Sequence, residues 1–278
     1  MKRHRPKHDQ SYQQKFDEML AGKASGVFID DSGSPGLKDT PYGLHPDRKT
    51  WVAVILLPDH ATEVMEQMPK MLAELKRLTG ANEYHWVDIF GGRHDFKGVD
   101  PEIRFGLIGA MAEILGQREF PILVQTLDPV SMRAVRAQGQ FPDRISKFNL
   151  RKHEDFALFL LLTMVKSHLK QFPEPERVPA HVFIDEGFLK RGQALQLPSF
   201  DPIFSGGLLC SADSSSVFPI QLADFAAFCL NRSQLILGKE KKSENDIRFL
   251  RLIEPMAPNY INLERKNFAL DQKGNWLL

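Results

Sequence analysis

Val27-Phe28-Ile29-Asp30-Asp31 (27–31) is a short apolar run that ends in two carboxylates, and its reading as a buried strand decides the fold. β-Branched and aromatic residues favour a pleated, half-buried surface, and Asp31-Ser32-Gly33-Ser34-Pro35-Gly36 supplies turn chemistry immediately afterwards. A second run of the same kind, Ala180-His181-Val182-Phe183-Ile184-Asp185-Glu186, also closes on acid. A third acid, Asp224, sits inside Ile220-Gln221-Leu222-Ala223-Asp224-Phe225-Ala226-Ala227-Phe228, which reads as an apolar helix. Carboxylates at strand ends and on a greasy helix are unfavourable unless something compensates their charge. In an α/β fold these three segments bring Asp30, Asp185 and Asp224 towards one spot.

Around those segments strands alternate with helices, but not with the regularity of a doubly wound sheet. A strand is expected over 51–57 and a helix over 60–78, with Val64, Met65, Met68, Met71, Leu72 and Leu75 on one stripe and Pro69 as a possible kink. The stretch 83–90 reads as strand or irregular chain. A helix is expected over 101–115, a strand over 121–127, an irregular basic connector over 128–150 and a long helix over 152–171. A strand over 203–211 and helices near 11–20, 221–230 and 243–253 complete the reading. The fold class is α/β: one mixed β-sheet flanked by helices, with insertions. Residues 1–25 are expected to form a basic, disordered arm, and 26–278 a single domain with a C-terminal helical extension.

Charged residues make up 26% of the 278 and the net charge is only +1, so no global field points to a polyanionic or polycationic partner. Basic surface must be local, and Arg133, Arg136, Arg144, Lys147, Arg151 and Lys152 form its densest internal stretch. Two cysteines, Cys210 and Cys229, exclude a disulfide framework and a four-cysteine zinc site. No apolar run approaches the ~20 residues of a membrane helix, and the basic start is not followed by an apolar leader; a cytoplasmic location is expected. The phosphate-cradling loop, the dinucleotide fingerprint, the Gly-x-Ser-x-Gly nucleophile turn and His-Glu-x-x-His are all missing from the sequence.

Phosphodiester hydrolysis by two metals needs three or four carboxylates converging on cations roughly 3.5–4 Å apart, and Mg²⁺ and Mn²⁺ prefer oxygen ligands. Asp30, Asp185 and Asp224 have the right chemistry. Their order and setting resemble a known group. Ile29-Asp30-Asp31-Ser32-Gly33 resembles the opening Asp-Glu-Ser-Gly of the domain of unknown function 3800 family, with Asp31 where that family carries glutamate. Glu83-Tyr84-His85 resembles its Glu-x-His segment, Val182-Phe183-Ile184-Asp185-Glu186 its Ile-Asp-Glu strand, and Ser214 with Gln221-Leu222-Ala223-Asp224 its most distinctive helix. The resemblance implies an RNase H-like fold and a metal-dependent nuclease in which Asp30, Glu83, Asp185 and Asp224 hold two Mg²⁺ or Mn²⁺ ions. It also implies a nucleic acid, RNA or DNA, as substrate; no membrane partner is expected, because the longest apolar run is too short.

Competing readings stand beside this one. Asp30-Asp31-Ser32-Gly33 and Asp185-Glu186-Gly187 also suit plain turns, and Asp224 could pair with Arg232. Glu154, near the start of the long helix, competes with Glu83 for the place of fourth carboxylate. His85 reads either as a catalytic acid–base group or as a hydrogen-bonded structural residue. Ser214, Ser215 and Gln221 read either as substrate contacts or as a polar helix start. For the whole chain, the alternatives are a non-catalytic nucleic-acid- or partner-binding module on the same fold and a small-nucleotide phosphohydrolase.

Overall fold

The computed structural model describes residues 9–32, 44–172 and 178–261, together with the backbone of a short pairing between Ala269–Leu270 and Trp276–Leu277. The basic start (1–8) and the turn string from Gly33 onward lie outside the described residues. In chain order the first elements are α1 (Asp9–Leu20), β1 (Ser25–Ser32), β2 (Lys49–Leu56), α2 (Pro58–Thr79), α3 (Trp86–Gly91), α4 (Pro101–Gln117), β3 (Ile122–Leu127) and α5 (Pro129–Ala137). The two-residue strands β4 (Arg144–Ile145) and β5 (Phe148–Asn149) then form a hairpin. α6 (His153–Leu169), β6 (Ala180–Ile184), β7 (Ala194–Gln196), β8 (Phe204–Ser211), α7 (Ile220–Leu237), α8 (Glu244–Ile253) and β9 (Tyr260–Ile261) follow.

Seven strands form one mixed sheet in the order β7-β8-β6-β1-β2-β3-β9. β2 runs antiparallel to β1 and β3, while β6 is parallel to β1 and β8 parallel to β6. The five central strands therefore read β3-β2-β1-β6-β8 with β2 alone reversed. Helices cover both faces, and the α2–α4 block inserted between β2 and β3 is the largest departure from a bare sheet-and-helix pattern.

Period-2 alternation on β1 divides the two cores. Val27 and Ile29 face the side covered by α6, with Val182, Ile184 and Leu209 beside them. Phe28 faces the other side, under α1, α2 and α7, where it stacks on Phe183 with ring centroids 5.5 Å apart. α6 is apolar around its whole circumference because the hairpin and the turn at 198–200 wrap it: Phe148 and Phe200 pack edge-on to Phe159 at 5.5 and 6.0 Å.

Three expectations are corrected here. The segment 9–20, read both as part of a disordered arm and, over 11–20, as a helix, is a helix that buries Tyr12, Phe16 and Met19, an i, i+4, i+7 stripe, against the sheet. The stretch 86–91 is a helical turn, not a strand; Trp86 and Ile89, three apart, both point into the core, and Gly92 closes it at φ +61, a conformation that favours glycine. The connector 128–150 is ordered: Asp128 accepts the N–H groups of Val130 and Ser131, both at 2.7 Å, while Ser131 Oγ accepts the Asp128 N–H, a capping box that starts α5.

At the far end of the domain, Asp246 anchors α8. Its carboxylate accepts Lys239 Nζ on both oxygens at 2.8 Å and the Ser243 N–H and hydroxyl at 2.9 Å, with Arg232 at 3.6 Å. Burial alone would raise this carboxyl, but Lys239 and Ser243 outweigh it and hold it at about 2. The side chains bonded to it, more than depth in the protein, are what cover it. Asp246→Ala is expected to destabilise by about 2 kcal/mol at pH 7, because it removes a cap and leaves Arg232 without its counter-charge. Since the folded carboxyl is depressed, its contribution is present above pH ~4 and is lost as pH falls towards 2. Urea titrations of both proteins at pH 7 and pH 3 check this, the gap narrowing at the lower pH.

Candidate metal centre

The acidic residues singled out by the sequence meet at one end of the sheet. Asp30 lies near the C-terminal end of β1 on the Phe28 side, and Asp185 follows β6 directly, its N–H donating to the Ile29 carbonyl at 3.0 Å. This main-chain bond fixes the two aspartates on neighbouring strands. α7 packs across β1 and β2 on the same face and brings Asp224 over them. Asp31, the other member of the pair, turns to the α6 face and is held by an ion pair with Lys49, whose ammonium lies 5.1 Å from the Trp51 ring centroid. Alternation along the strand thus gives Asp30 to the site and Asp31 to its back wall.

Glu83 reaches the cluster from the segment before α3, and its position is braced from α7. Ser214 Oγ donates to Glu83 Oε2 at 3.0 Å. Gln221, 2% exposed, accepts the Tyr84 N–H at 3.2 Å and donates to the Ser214 carbonyl at 3.2 Å. One buried amide therefore ties together the two segments that carry Glu83 and its hydroxyl partner. Beneath them Tyr84 stacks on Trp86 at 4.7 Å, and Trp86 meets Phe225, the neighbour of Asp224, at 4.4 Å.

The electrostatics show that these groups feel one another. Burial raises the Asp30 carboxyl well above its ordinary value, the charges of Asp224 and Asp185 add to the rise, and the Asp31 N–H at 2.7 Å only partly offsets it. Asp224 is pushed up to about 7, first by burial and then by Asp185, Asp31 and Glu83. Asp185 is raised by burial, with a smaller push from Glu186, Glu83 and Asp31. Asp30, Glu83, Asp185 and Asp224 nevertheless each keep part of their surface open. The cluster lies deep enough to be poorly solvated yet remains reachable.

Asp224 is the least compensated of the four. Among the described residues no hydrogen bond or ion pair reaches its carboxylate. Arg232, its candidate partner, instead pairs with Asp246 and stacks over Phe90 at 4.2 Å.

Other candidates fall elsewhere. Glu154 opens α6 on the opposite face, its carbonyl accepting Trp51 Nε1 at 3.0 Å and its carboxylate 3.7 Å from His153 Nδ1. His85 is exposed before α3, and among the described residues its ring makes no hydrogen bond or ion pair. Gln221 is consumed by internal bonds, and Ser215 is bound to Asp213, so neither hydroxyl nor amide is free for a substrate. A cavity of about 500 Å³ between α7, α8 and residues 254–257, lined by Cys229, Leu250, Met256 and Tyr260, shares no residue with the carboxylates.

Asp30, Glu83, Asp185 and Asp224 suit a hard divalent cation in donor type and in charge: all are oxygen donors, and among the described residues no lysine or arginine neutralises Asp224. Spacing is a separate matter. Among the described residues, no three acidic, histidine or cysteine side chains stand at the mutual distances of a finished ligand set. Among those residues there is also no helix long and apolar enough to cross a membrane. Comparison with protein-family models, curated proteins and solved structures returns no match, so the likeness to the domain of unknown function 3800 family rests on its four motifs alone.

Proposed function

We propose that this chain is a metal-dependent nuclease that hydrolyses phosphodiester bonds at the carboxylate cluster. One observation carries the reading: Asp224, on a largely apolar helix, has among the described residues no partner of opposite charge and faces other carboxylates that raise its proton affinity. Uncompensated negative charge of this kind is destabilising, and such arrangements concentrate at functional sites. Asp30, Glu83, Asp185 and Asp224 would hold one or two Mg²⁺ or Mn²⁺ ions. Bound there, the ions would supply an acidified water and positive charge for the phosphoryl and leaving oxygens.

The protein's own groups perform the positioning. The bond from the Asp185 N–H to the Ile29 carbonyl keeps Asp30 and Asp185 adjacent. Ser214 orients Glu83, and Gln221 locks the Glu83 segment to the start of α7. His85, exposed two residues from Glu83, is assigned proton donation to the leaving oxygen.

The test pairs calorimetric Mn²⁺ titration with hydrolysis of bis(p-nitrophenyl) phosphate, for the wild type and Asp185→Asn. Wild-type protein is expected to bind Mn²⁺ and to turn over the diester only with metal, while the variant loses both. Absence of Mn²⁺ binding together with absence of turnover in the wild type overturns the proposal.

A further inference from the structure

The hairpin β4–β5 is docked onto the chain that follows Asp185. Lys147, in its two-residue turn, donates Nζ to the Phe188 carbonyl at 2.9 Å and lies 5.3 Å from the centroid of the Phe188 ring. Phe148 stacks on that same ring at 4.9 Å. Phe188 is three residues beyond Asp185, so no more than about 10 Å of extended chain separates this contact from the cluster. Arg136 on α5 braces the hairpin from behind, donating to the Leu150 carbonyl at 2.9 Å and to Asp143 at 3.2 Å.

The charge on this unit is one-sided. Residues 133–152 carry six basic side chains and one acid, Asp143, in a chain whose net charge is +1. Asp143 is already neutralised by both Arg136 and Arg151, which hold its carboxyl below the ordinary range. Arg133, Arg144 and Lys152 are exposed, and among the described residues their side chains have no hydrogen-bond or ion-pair partner. Lys190, exposed two residues past Phe188, is equally free.

A cluster of carboxylates repels any phosphate that approaches it. Affinity for a phosphodiester substrate must therefore come from neighbouring cations, and a small nucleotide has only its own phosphates to offer them. A polymer has phosphates on both sides of the scissile one, and a fixed basic platform set to one side suits that spacing. We propose that the platform formed by α5, the β4–β5 hairpin and the start of α6 binds the phosphate backbone of a polynucleotide, with Arg133, Arg144 and Lys152 as its phosphate contacts. This rests on the nuclease reading and names its substrate class as a polymer.

The experiment measures binding of fluorescent 20-nucleotide oligothymidylate and oligouridylate to the full chain in EDTA, as a function of salt. The variant is Arg133→Glu/Arg144→Glu/Lys152→Glu, and a charge-matched control is Lys70→Glu/Lys76→Glu/Arg251→Glu. At 0.1 M salt the first variant is expected to bind roughly 100-fold more weakly, and its slope of log affinity against log salt to be shallower by about three. The control is expected to behave as wild type. Equal losses in both variants, or none in the first, overturn the platform. Displacement of the oligonucleotide by polyglutamate as effectively as by unlabelled oligothymidylate also overturns it, since the surface would then be a generic polyanion or acidic-protein site. Salt-dependent binding of the expected kind in a protein that hydrolyses no diester supports the platform while removing the nuclease reading, so the two fail separately.

Discussion

Asp224→Asn is expected to lower metal-dependent phosphodiester hydrolysis by about 10³-fold or more while making the metal-free protein more stable at pH 8. The activity loss follows from replacing an anionic oxygen donor with a neutral amide at the point where positive charge must be held. The stability gain follows from linkage. Asp224 is raised from 3.8 to about 7 in the folded protein, so between those values the folded state binds the proton more tightly than the unfolded chain. Stability of the wild type is therefore greatest below pH ~4 as far as this group is concerned, and falls as pH rises through 7. At pH 8 the folded protein carries the whole penalty, which partial solvent access reduces to on the order of 2 kcal/mol. Removing it should raise the melting temperature by roughly 4–8 °C for a domain of this size. Thermal scans at pH 5 and pH 8 in EDTA, alongside Mn²⁺-dependent turnover, read both effects. A variant that keeps full activity, or that is less stable at pH 8 than at pH 5 by the wild-type margin, contradicts the charge-cluster account.

Trp86→Ala is expected to give the largest stability loss of any single change near the site, about 3–5 kcal/mol. Trp86 is 1% exposed and lies between Tyr84 and Phe225, so its removal opens a cavity that two aromatic neighbours cannot close by rotamer changes alone. The same two neighbours adjoin Glu83 and Asp224 in the chain, so the cavity loosens the relative position of those carboxylates. Weaker Mn²⁺ binding should accompany the lower melting temperature. Trp86→Phe refills most of the volume and removes an indole N–H that has no hydrogen-bond partner among the described residues. It should recover most of the stability and metal affinity. Calorimetric metal titrations of both variants, set against their urea midpoints, separate the packing effect from a general loss of fold.

The strands were legible in the sequence because burial on both faces leaves long apolar runs that end in turn residues. β1, β2, β3, β6 and β8 lie where the apolar runs predict them, to within about two residues. Local reading failed where a short segment suits a strand by composition. Trp86-Val87-Asp88-Ile89-Phe90 is rich in β-branched and aromatic residues, yet the contact of Trp86 with Tyr84 and Phe225 selects the helical turn. α5 was missed despite a readable signal, since Asp128-Pro129-Val130-Ser131 is a capping box with proline at the first helical position. The stripe of Tyr12, Phe16 and Met19 was likewise visible before the structure placed it in the core. For the site, residue type and order pointed to Asp30, Asp185 and Asp224. Glu83 was preferred to Glu154 on its local Glu-x-His segment, whereas the face of the sheet that each occupies is set by the fold alone. For Gln221 the sequence left substrate contact and polar helix start both open; its partner Tyr84 lies 137 residues away, and only tertiary structure shows that its amide is used internally.

The four carboxylates come from positions 30, 83, 185 and 224, and the central strand β1 carries the first of them. Nothing local brings any two together: the smallest separation along the chain is the 39 residues between Asp185 and Asp224. Such long-range pairing forms late and cooperatively. A nascent or truncated chain that stops before α7 therefore contains three of the acids but not the helix that sets the fourth against them. On the proposed nuclease reading, metal-dependent cleavage would appear during translation only after α7 has been synthesised and has packed on the sheet.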